Sequence, residues 1–233
     1  MKEIKLSPSM MCADLFNIES ILEQLGQHHI DFLHIDVMDG HYVPNFTVGT
    51  DYCRALATRS SIPLDIHLMI EDVDQHLSQF AQIENACVTF HPEVCYHPLR
   101  TIQAIRSFGA RVGIALDPSM AVERYKSLFT AVDMICVMTV NPGYAGQPLV
   151  PQGMQLLAQV AQSCAEMGCE PDIEVDGNVS WTNIPRMLEA GANVLVGGTS
   201  SIFSSRAPLE ENIVALHTLI QEHRSLSHAA HHV

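Results

Sequence analysis

The sequence predicts an α/β protein folded as a single (β/α)8 TIM barrel, and three observations predict it. Its 233 residues suit one such domain. Short β-branched or apolar runs alternate with amphipathic stretches about as often as βα units require. Eight such runs occur, with no long Pro/Gly/Ser linker or charge block dividing them. A doubly wound sheet would give a similar local pattern, but eight strands each followed by a helix-like segment imply closure.

In chain order, the predicted strands are residues 4–10, 32–38, 64–69, 86–91, 112–116, 134–140, 172–176 and 194–198. The clearest helices cover residues 15–25, 99–108, 154–167 and 209–223, where apolar residues recur at helical spacing. The barrel is expected to occupy residues 1–224. Residues 225–233, which include His228, His231 and His232, follow the last periodic helix and are expected to form a solvated tail.

Composition excludes several function classes. Hydrophobic residues make up 47% of the chain, yet no apolar run reaches the roughly 18–20 residues of a membrane span. The opening Met1-Lys2-Glu3-Ile4-Lys5 has no apolar signal-peptide core, so the expected location is the cytoplasm. Seven scattered cysteines form no C-x-x-C pair and read as reduced thiols. The net charge of −14 disfavours nucleic acid and anionic membrane surfaces as partners. Lys2, Lys5 and Lys126 are the only lysines, so a bound phosphate would depend on arginine, backbone N–H groups or helix N-termini.

Catalytic groups of such barrels sit at the C-terminal strand ends, which makes polar residues interrupting apolar strands informative. In the second strand a period of two puts His34, Asp36 and Met38 on one face and Leu33, Ile35 and Val37 on the other. The third strand groups Asp65, His67 and Met69 in the same way, and the seventh aims Glu174 and Asp176 inward before Gly177. One such residue alone is more often a hydrogen-bonded structural group than a ligand. Burying several at one mouth is costly unless a metal or a network satisfies them. His34, Asp36, His67 and Asp176 form a two-histidine, two-carboxylate set suited to one divalent ion, Zn2+, Fe2+, Mn2+ or Co2+. Glycine-rich turns follow strands six, seven and eight: Asn141-Pro142-Gly143-Tyr144-Ala145-Gly146-Gln147, Asp176-Gly177-Asn178 and Gly197-Gly198-Thr199-Ser200. Such turns let the backbone approach an anion, and barrels commonly bind phosphate beside strands seven and eight.

In order along the chain, Ser7-Pro8-Ser9, His34-Ile35-Asp36-Val37-Met38-Asp39-Gly40, Val43-Pro44-Asn45, Asp65-Ile66-His67-Leu68-Met69, Asn141-Pro142-Gly143 and Glu174-Val175-Asp176-Gly177 resemble the ribulose-phosphate 3-epimerase family over nearly the whole length. The resemblance implies a ribulose-phosphate-binding type of barrel and a metal-dependent 3-epimerase of a ketose phosphate. Asp36 and Asp176 would be the acid/base pair and also metal ligands, with His34 and His67 completing the coordination. His67 and Ser9 would contact substrate, and Met38, Met69 and Met138 would form a water-poor wall beside the intermediate. For the methionines alone, core packing is the better reading. Gly143, Tyr144, Ala145, Gly146, Gly177, Asn178, Gly198, Thr199 and Ser200 would hold the phosphate. The resemblance also implies a homo-oligomer.

Within the family, Phe90-His91-Pro92-Glu93, Val137-Met138-Thr139-Val140, Ala145-Gly146-Gln147-Pro148 and Gly198-Thr199-Ser200 look more like D-allulose-6-phosphate 3-epimerase than the pentulose enzyme. The expected reaction is therefore D-allulose 6-phosphate to D-fructose 6-phosphate, with D-ribulose 5-phosphate to D-xylulose 5-phosphate as the alternative. Pentulose enzymes usually carry a second glycine where this chain has Asn178, so the phosphate end is where sugar length is in question. Schiff-base aldolases and orotidine-phosphate decarboxylase need a lysine inside the barrel, and this chain has none suitably placed. A non-catalytic sugar-phosphate-binding barrel is the remaining rival on the same fold.

Overall fold

A computed structural model describes residues 2–230. Eight parallel strands form one sheet: β1 (Lys5–Pro8), β2 (Leu33–Met38), β3 (Leu64–Met69), β4 (Cys87–Phe90), β5 (Arg111–Leu116), β6 (Met134–Met138), β7 (Asp172–Asp176) and β8 (Val194–Gly197). Ladders run from β2 through β8 in chain order, and β8 pairs with β1. Closure between β1 and β2 comes from a parallel bridge between Ser9 and His34, and from the N–H groups of Asp31 and Phe32, which both donate to the Leu6 carbonyl. The predicted barrel is the observed fold.

One α-helix follows each strand: α1 (Ile18–Gly26), α2 (Thr50–Arg59), α3 (Val73–Ala81), α4 (Pro98–Ser107), α5 (Val122–Tyr125), α6 (Pro151–Met167), α7 (Ile184–Glu189) and α8 (Leu209–Ala230). Prolines open α4 and α6, where the missing N–H costs no helical bond. Gly168 ends α6 at φ 63°, a left-handed stop. The first helix starts later than its periodicity suggests. Asp14 accepts a hydrogen bond from Phe16 N–H and sets up a 3-10 turn, leaving Leu15 and Phe16 exposed rather than on the buried stripe. The last helix reaches Ala230, past residue 225 where a tail was expected to begin, while His231 and His232 lie outside the described residues. Among the described residues no helix is long and apolar enough to cross a membrane.

The alternation read from β2 decides where the chemistry sits. Leu33, Ile35 and Val37 belong to the main apolar core, shared with helix residues such as Leu25, Leu56 and Leu157. The barrel interior is layered. Phe32, Cys87, Met134 and Val194, at the starts of alternate strands, pack together and plug the N-terminal end. Above that plug the interior turns polar, with Ser7, His34, Asp65, Thr89 and Glu174 all fully buried. Thr89 fits only because its neighbour in register is Gly113, where an added Cβ would lie 2.1 Å from the threonine Oγ1. Burying so many polar groups is favourable only if they satisfy one another or a ligand.

Candidate active site and metal centre

Register places the polar side chains opposite one another. Asp36 of β2 pairs with His67 of β3, and His34 with Asp65, so two histidines and two carboxylates alternate on adjacent strands. Asp176, at the end of β7, faces them across the mouth. His34 Nδ1 lies 2.6 Å from Asp65 Oδ2, and a carboxylate can only accept, so Nδ1 carries a proton. The opposite ring atom, Nε2, faces Asp36 Oδ1 at 3.3 Å and Asp176 Oδ2 at 3.9 Å. His67 Nδ1 lies 3.4 Å from Asp36 Oδ1 and 3.8 Å from Asp176 Oδ2. It is buried without a hydrogen-bond partner among the described residues.

These distances fit a divalent cation. One donor atom from each of His34, Asp36, His67 and Asp176 lies within 4.8 Å of every other. Bond lengths of about 2.0–2.2 Å in tetrahedral geometry put ligand atoms roughly 3.3–3.6 Å apart, close to the separations found. The orphaned Nδ1 of His67 is costly unless something takes its lone pair. The four side chains could therefore hold such an ion. A second group, His34, Asp65 and Glu174, lies fully buried below. Its geometry suits support rather than ligation, because His34 commits Nδ1 to Asp65 and so directs Nε2 upward.

The electrostatics separate the two aspartates. Burial opposes ionisation of Asp36, but the charge of His34 and its hydrogen bond outweigh it and hold this carboxyl well below the usual range. Burial and then the negative charge of Asp36 push Asp176 up to about 6. Burial works against a charged His34, yet Asp36 and Asp65 together raise it well above an ordinary imidazole. Burial, followed by the charge of Asp65, pushes Glu174 well above the ordinary carboxyl range. The two carboxyls are thus shifted in opposite directions although they line the same cavity.

Two threonines clamp the backbones of these aspartates. Thr47 Oγ1 donates to the Asp36 carbonyl at 2.5 Å and accepts from Met38 N–H at 3.0 Å. Thr139, fully buried after β6, donates its hydroxyl to the Asp176 and Gly177 carbonyls. Ser9 Oγ donates to Asp36 Oδ2 at 3.0 Å.

Above the carboxylates opens a cavity lined by Ser9, Asp36, Asp176, the three methionines Met38, Met69 and Met138, and the glycine-rich turns with Gly143, Tyr144, Ala145, Gly146, Gly177, Asn178, Gly198, Thr199 and Ser200. The structure gathers all of these sequence-predicted residues. His67 does not line the cavity; it and His34 are fully buried in the floor. Gln147, from the glycine-rich turn after β6, also lines it, as do Met11 and Cys12 in the turn after β1, which carried no signal in the sequence. No lysine lines the cavity, so an anion there meets backbone N–H and hydroxyl groups. Gly177 (φ 108°) needs its glycine, because a Cβ there would lie 2.6 Å from Val140 Cγ2. Asn178 adopts φ 47°, left-handed backbone that asparagine tolerates.

Comparison with known proteins agrees with this geometry. Residues 5–203 match the model of the ribulose-phosphate 3 epimerase family. The chain is 37% identical over 198 residues to a ribulose-phosphate 3-epimerase of Bacillus subtilis, covering 84% of this chain and 91% of that protein. It is 37% identical over 203 residues to that of Treponema pallidum, covering 87% and 93%. It is 35% identical over 204 residues to that of Escherichia coli, covering 87% and 90%. Among solved structures, a mutant tryptophan synthase alpha-subunit from Pyrococcus furiosus superposes with a TM-score of 0.67 at 13% identity, covering 95% of this chain and all (100%) of the other. The N-terminal domain of a putative aldolase from Bacteroides vulgatus gives 0.57 at 12% identity, covering 84% and 72%. At those identities the structural likeness speaks for the fold alone.

Proposed function

The chain belongs to the ribulose-phosphate 3-epimerase family, and on that premise we propose that it interconverts D-ribulose 5-phosphate and D-xylulose 5-phosphate, with Asp36 and Asp176 moving the proton at C3. The observation that carries this reading is the pair itself: two carboxylates, from β2 and from the end of β7, lining one cavity, with Asp36 held below the usual carboxyl range and Asp176 raised to about 6. Asp36 on β2 takes the C3 proton, and Asp176 on β7, once protonated, returns one to the opposite face. The roles exchange in the reverse direction. A divalent ion held by His34, Asp36, His67 and Asp176 would supply positive charge for the developing enediolate oxygens. Met38, Met69 and Met138 keep water from that intermediate, while the turns at Gly143–Gly146, Gly177–Asn178 and Gly198–Ser200 bind the phosphate.

The sequence pointed to the hexulose phosphate; two considerations favour the pentulose. The relatives at 35–37% identity, aligned over 90% or more of their own length, are named for ribulose phosphate. Asn178, the departure at the phosphate turn, keeps left-handed backbone and so preserves the path a glycine would take. The test is kcat/KM for D-ribulose 5-phosphate against D-allulose 6-phosphate on one metal-loaded preparation, together with exchange of the C3 hydrogen with solvent. Preference for the hexulose phosphate would overturn the substrate assignment, and binding without C3 exchange under any of the four metals would overturn the mechanism. We also propose a cytoplasmic homo-oligomer, for which the almost fully exposed Phe16 and Tyr96 offer apolar contact surface. Light scattering that found only monomer at micromolar concentration would refute the assembly.

A further inference from the structure

His67 is held from behind by a row of polar side chains that the proposed chemistry does not use. Its Nε2 lies 2.9 Å from His91 Nε2. The two ring centroids are 5.1 Å apart with planes only 27° from parallel. That separation is close to the length of the bond plus one ring diameter, so the imidazoles meet end to end, as a near-linear N–H···N bond requires. On its far side His91 Nδ1 lies 2.8 Å from the Tyr42 hydroxyl and 3.3 Å from Glu93 Oε1, and Tyr42 itself donates to Glu93 Oε1 at 2.7 Å. His91 is fully buried. The loop carrying Tyr42 is fixed independently, since Asp39 Oδ1 accepts from the N–H groups of His41 and Tyr42 while Asp39 Oδ2 accepts from Glu71 N–H.

We infer that Glu93, Tyr42 and His91 form a directed hydrogen-bond chain that fixes the tautomer of His67, leaving its Nδ1 bare for a divalent cation, and that His91 is a positioning residue for that site. The direction follows from donor and acceptor capacity. Glu93 as a carboxylate only accepts, so the Tyr42 hydroxyl spends its one proton there. The Tyr42 oxygen must then accept, and His91 Nδ1 carries a proton. In a neutral imidazole the other nitrogen is then an acceptor, which obliges His67 to donate from Nε2. His67 Nδ1 is left with a lone pair and no proton. That is the atom found buried without a partner beside Asp36 and Asp176. On the other histidine Asp65 does the same job in one step through His34 Nδ1, so the two rings present opposite nitrogens to one point. The sequence shows why the two supports differ. Asp65 stands beside His34 in the β2–β3 register, whereas His67 is paired with Thr89 on β4 and its support must come from the end of that strand and the loop after β2.

The inference rests on the proposed cation site, so the experiment reports on each separately. Full-length protein with 15N-labelled histidine, without metal and with Zn2+, is read by long-range 1H–15N correlation. His67 should carry its proton on Nε2 in both states, and His91→Phe should give a mixture of tautomers in the metal-free state. By chelator competition, His91→Phe should bind Co2+ about 10–100-fold more weakly, the range for loss of such a support. His91→Gln, whose amide oxygen can accept from His67 Nε2, should recover much of that loss. Tyr42→Phe should cost less than His91→Phe, because His91 Nδ1 can turn to Glu93 Oε1. A His67 proton on Nδ1 in the metal-free wild type, or unchanged Co2+ affinity in a folded His91→Phe protein, overturns the inference while the cation site stands. Wild-type protein that takes up no Co2+ or Zn2+ removes the site and the inference with it.

Discussion

Loading the proposed site with metal must expel protons, and the raised Asp176 carboxyl makes their number depend on pH. Without an ion, His34 is charged because Asp36 and Asp65 outweigh the burial that opposes its charge, and Asp176 is pushed up to about 6 by burial and by Asp36. A cation needs the His34 Nε2 lone pair and the Asp176 carboxylate, so both protons compete with it. At pH 5 Asp176 is about nine-tenths protonated and at pH 7 about one-tenth. Asp176 should therefore release nearly one proton on binding at pH 5 and only about a tenth of one at pH 7, in addition to any proton from His34. Integrated across that interval, Asp176 alone should raise apparent affinity about tenfold, on top of the His34 contribution. In Asp176→Asn that extra release at pH 5 and that tenfold rise should both disappear. The assay is titration calorimetry with Co2+ in buffers of differing ionisation enthalpy, with chelator competition for affinity. The sign extends to stability. A carboxyl raised in the folded state stabilises the metal-free fold below the ordinary carboxylate range, and that contribution is lost as pH rises through about 6. Proton release that is the same at pH 5 and pH 7 would refute the assignment of the raised carboxyl to the metal site.

Three further outcomes follow from the same geometry. Asp36→Asn and Asp176→Asn should each lower C3 hydrogen exchange by about 10²-fold or more while phosphate binding survives, because neither carboxylate is needed by the glycine turns; near-wild-type exchange in either variant would sink the two-aspartate reading. Thr139→Val leaves the Asp176 and Gly177 carbonyls without their hydroxyl donor, so it should cost about 1–3 kcal/mol in urea unfolding and lower kcat more than it raises KM, whereas Thr139→Ser should retain both. Gly177→Ala combines φ 108° with a Cβ 2.6 Å from Val140 Cγ2, and should weaken inorganic phosphate binding and cost about 1–3 kcal/mol; unchanged affinity by calorimetry would separate that turn from the phosphate.

What was legible in the sequence divides along one physical line. Period-two alternation is a property of each strand alone, and β3 and β7 were delimited correctly from it at Leu64–Met69 and Asp172–Asp176. The same alternation brought out His34, Asp36, His67 and Asp176, because a buried charge on an otherwise apolar strand stands out against its own neighbours. β1 and β6 end sooner than their apolar runs. The chain turns into a 3-10 segment at Met10, and Thr139 leaves the ladder to hold the end of β7. α5 is four residues followed by a 3-10 stretch, and its buried Val122, Tyr125 and Leu128 recur every three residues, the 3-10 period.

The contacts that escaped detection run across loops, where no local rule applies. Tyr42 and Glu93 are 51 positions apart and meet only because β2, β3 and β4 are successive staves that end at the same rim. Thr47 reaches back 11 positions to the Asp36 carbonyl, and Cys12 lines the cavity from a turn with no motif of its own. Strand pattern thus announces which groups are buried at the mouth, while the loops decide which of their atoms remain free. For His34 that choice is made within the sheet, by Asp65 in register beside it. For His67 it is made outside the sheet, which leaves the loop after β2 and the turn after β4 able to change the proposed metal site without altering any of the four residues that would hold the ion.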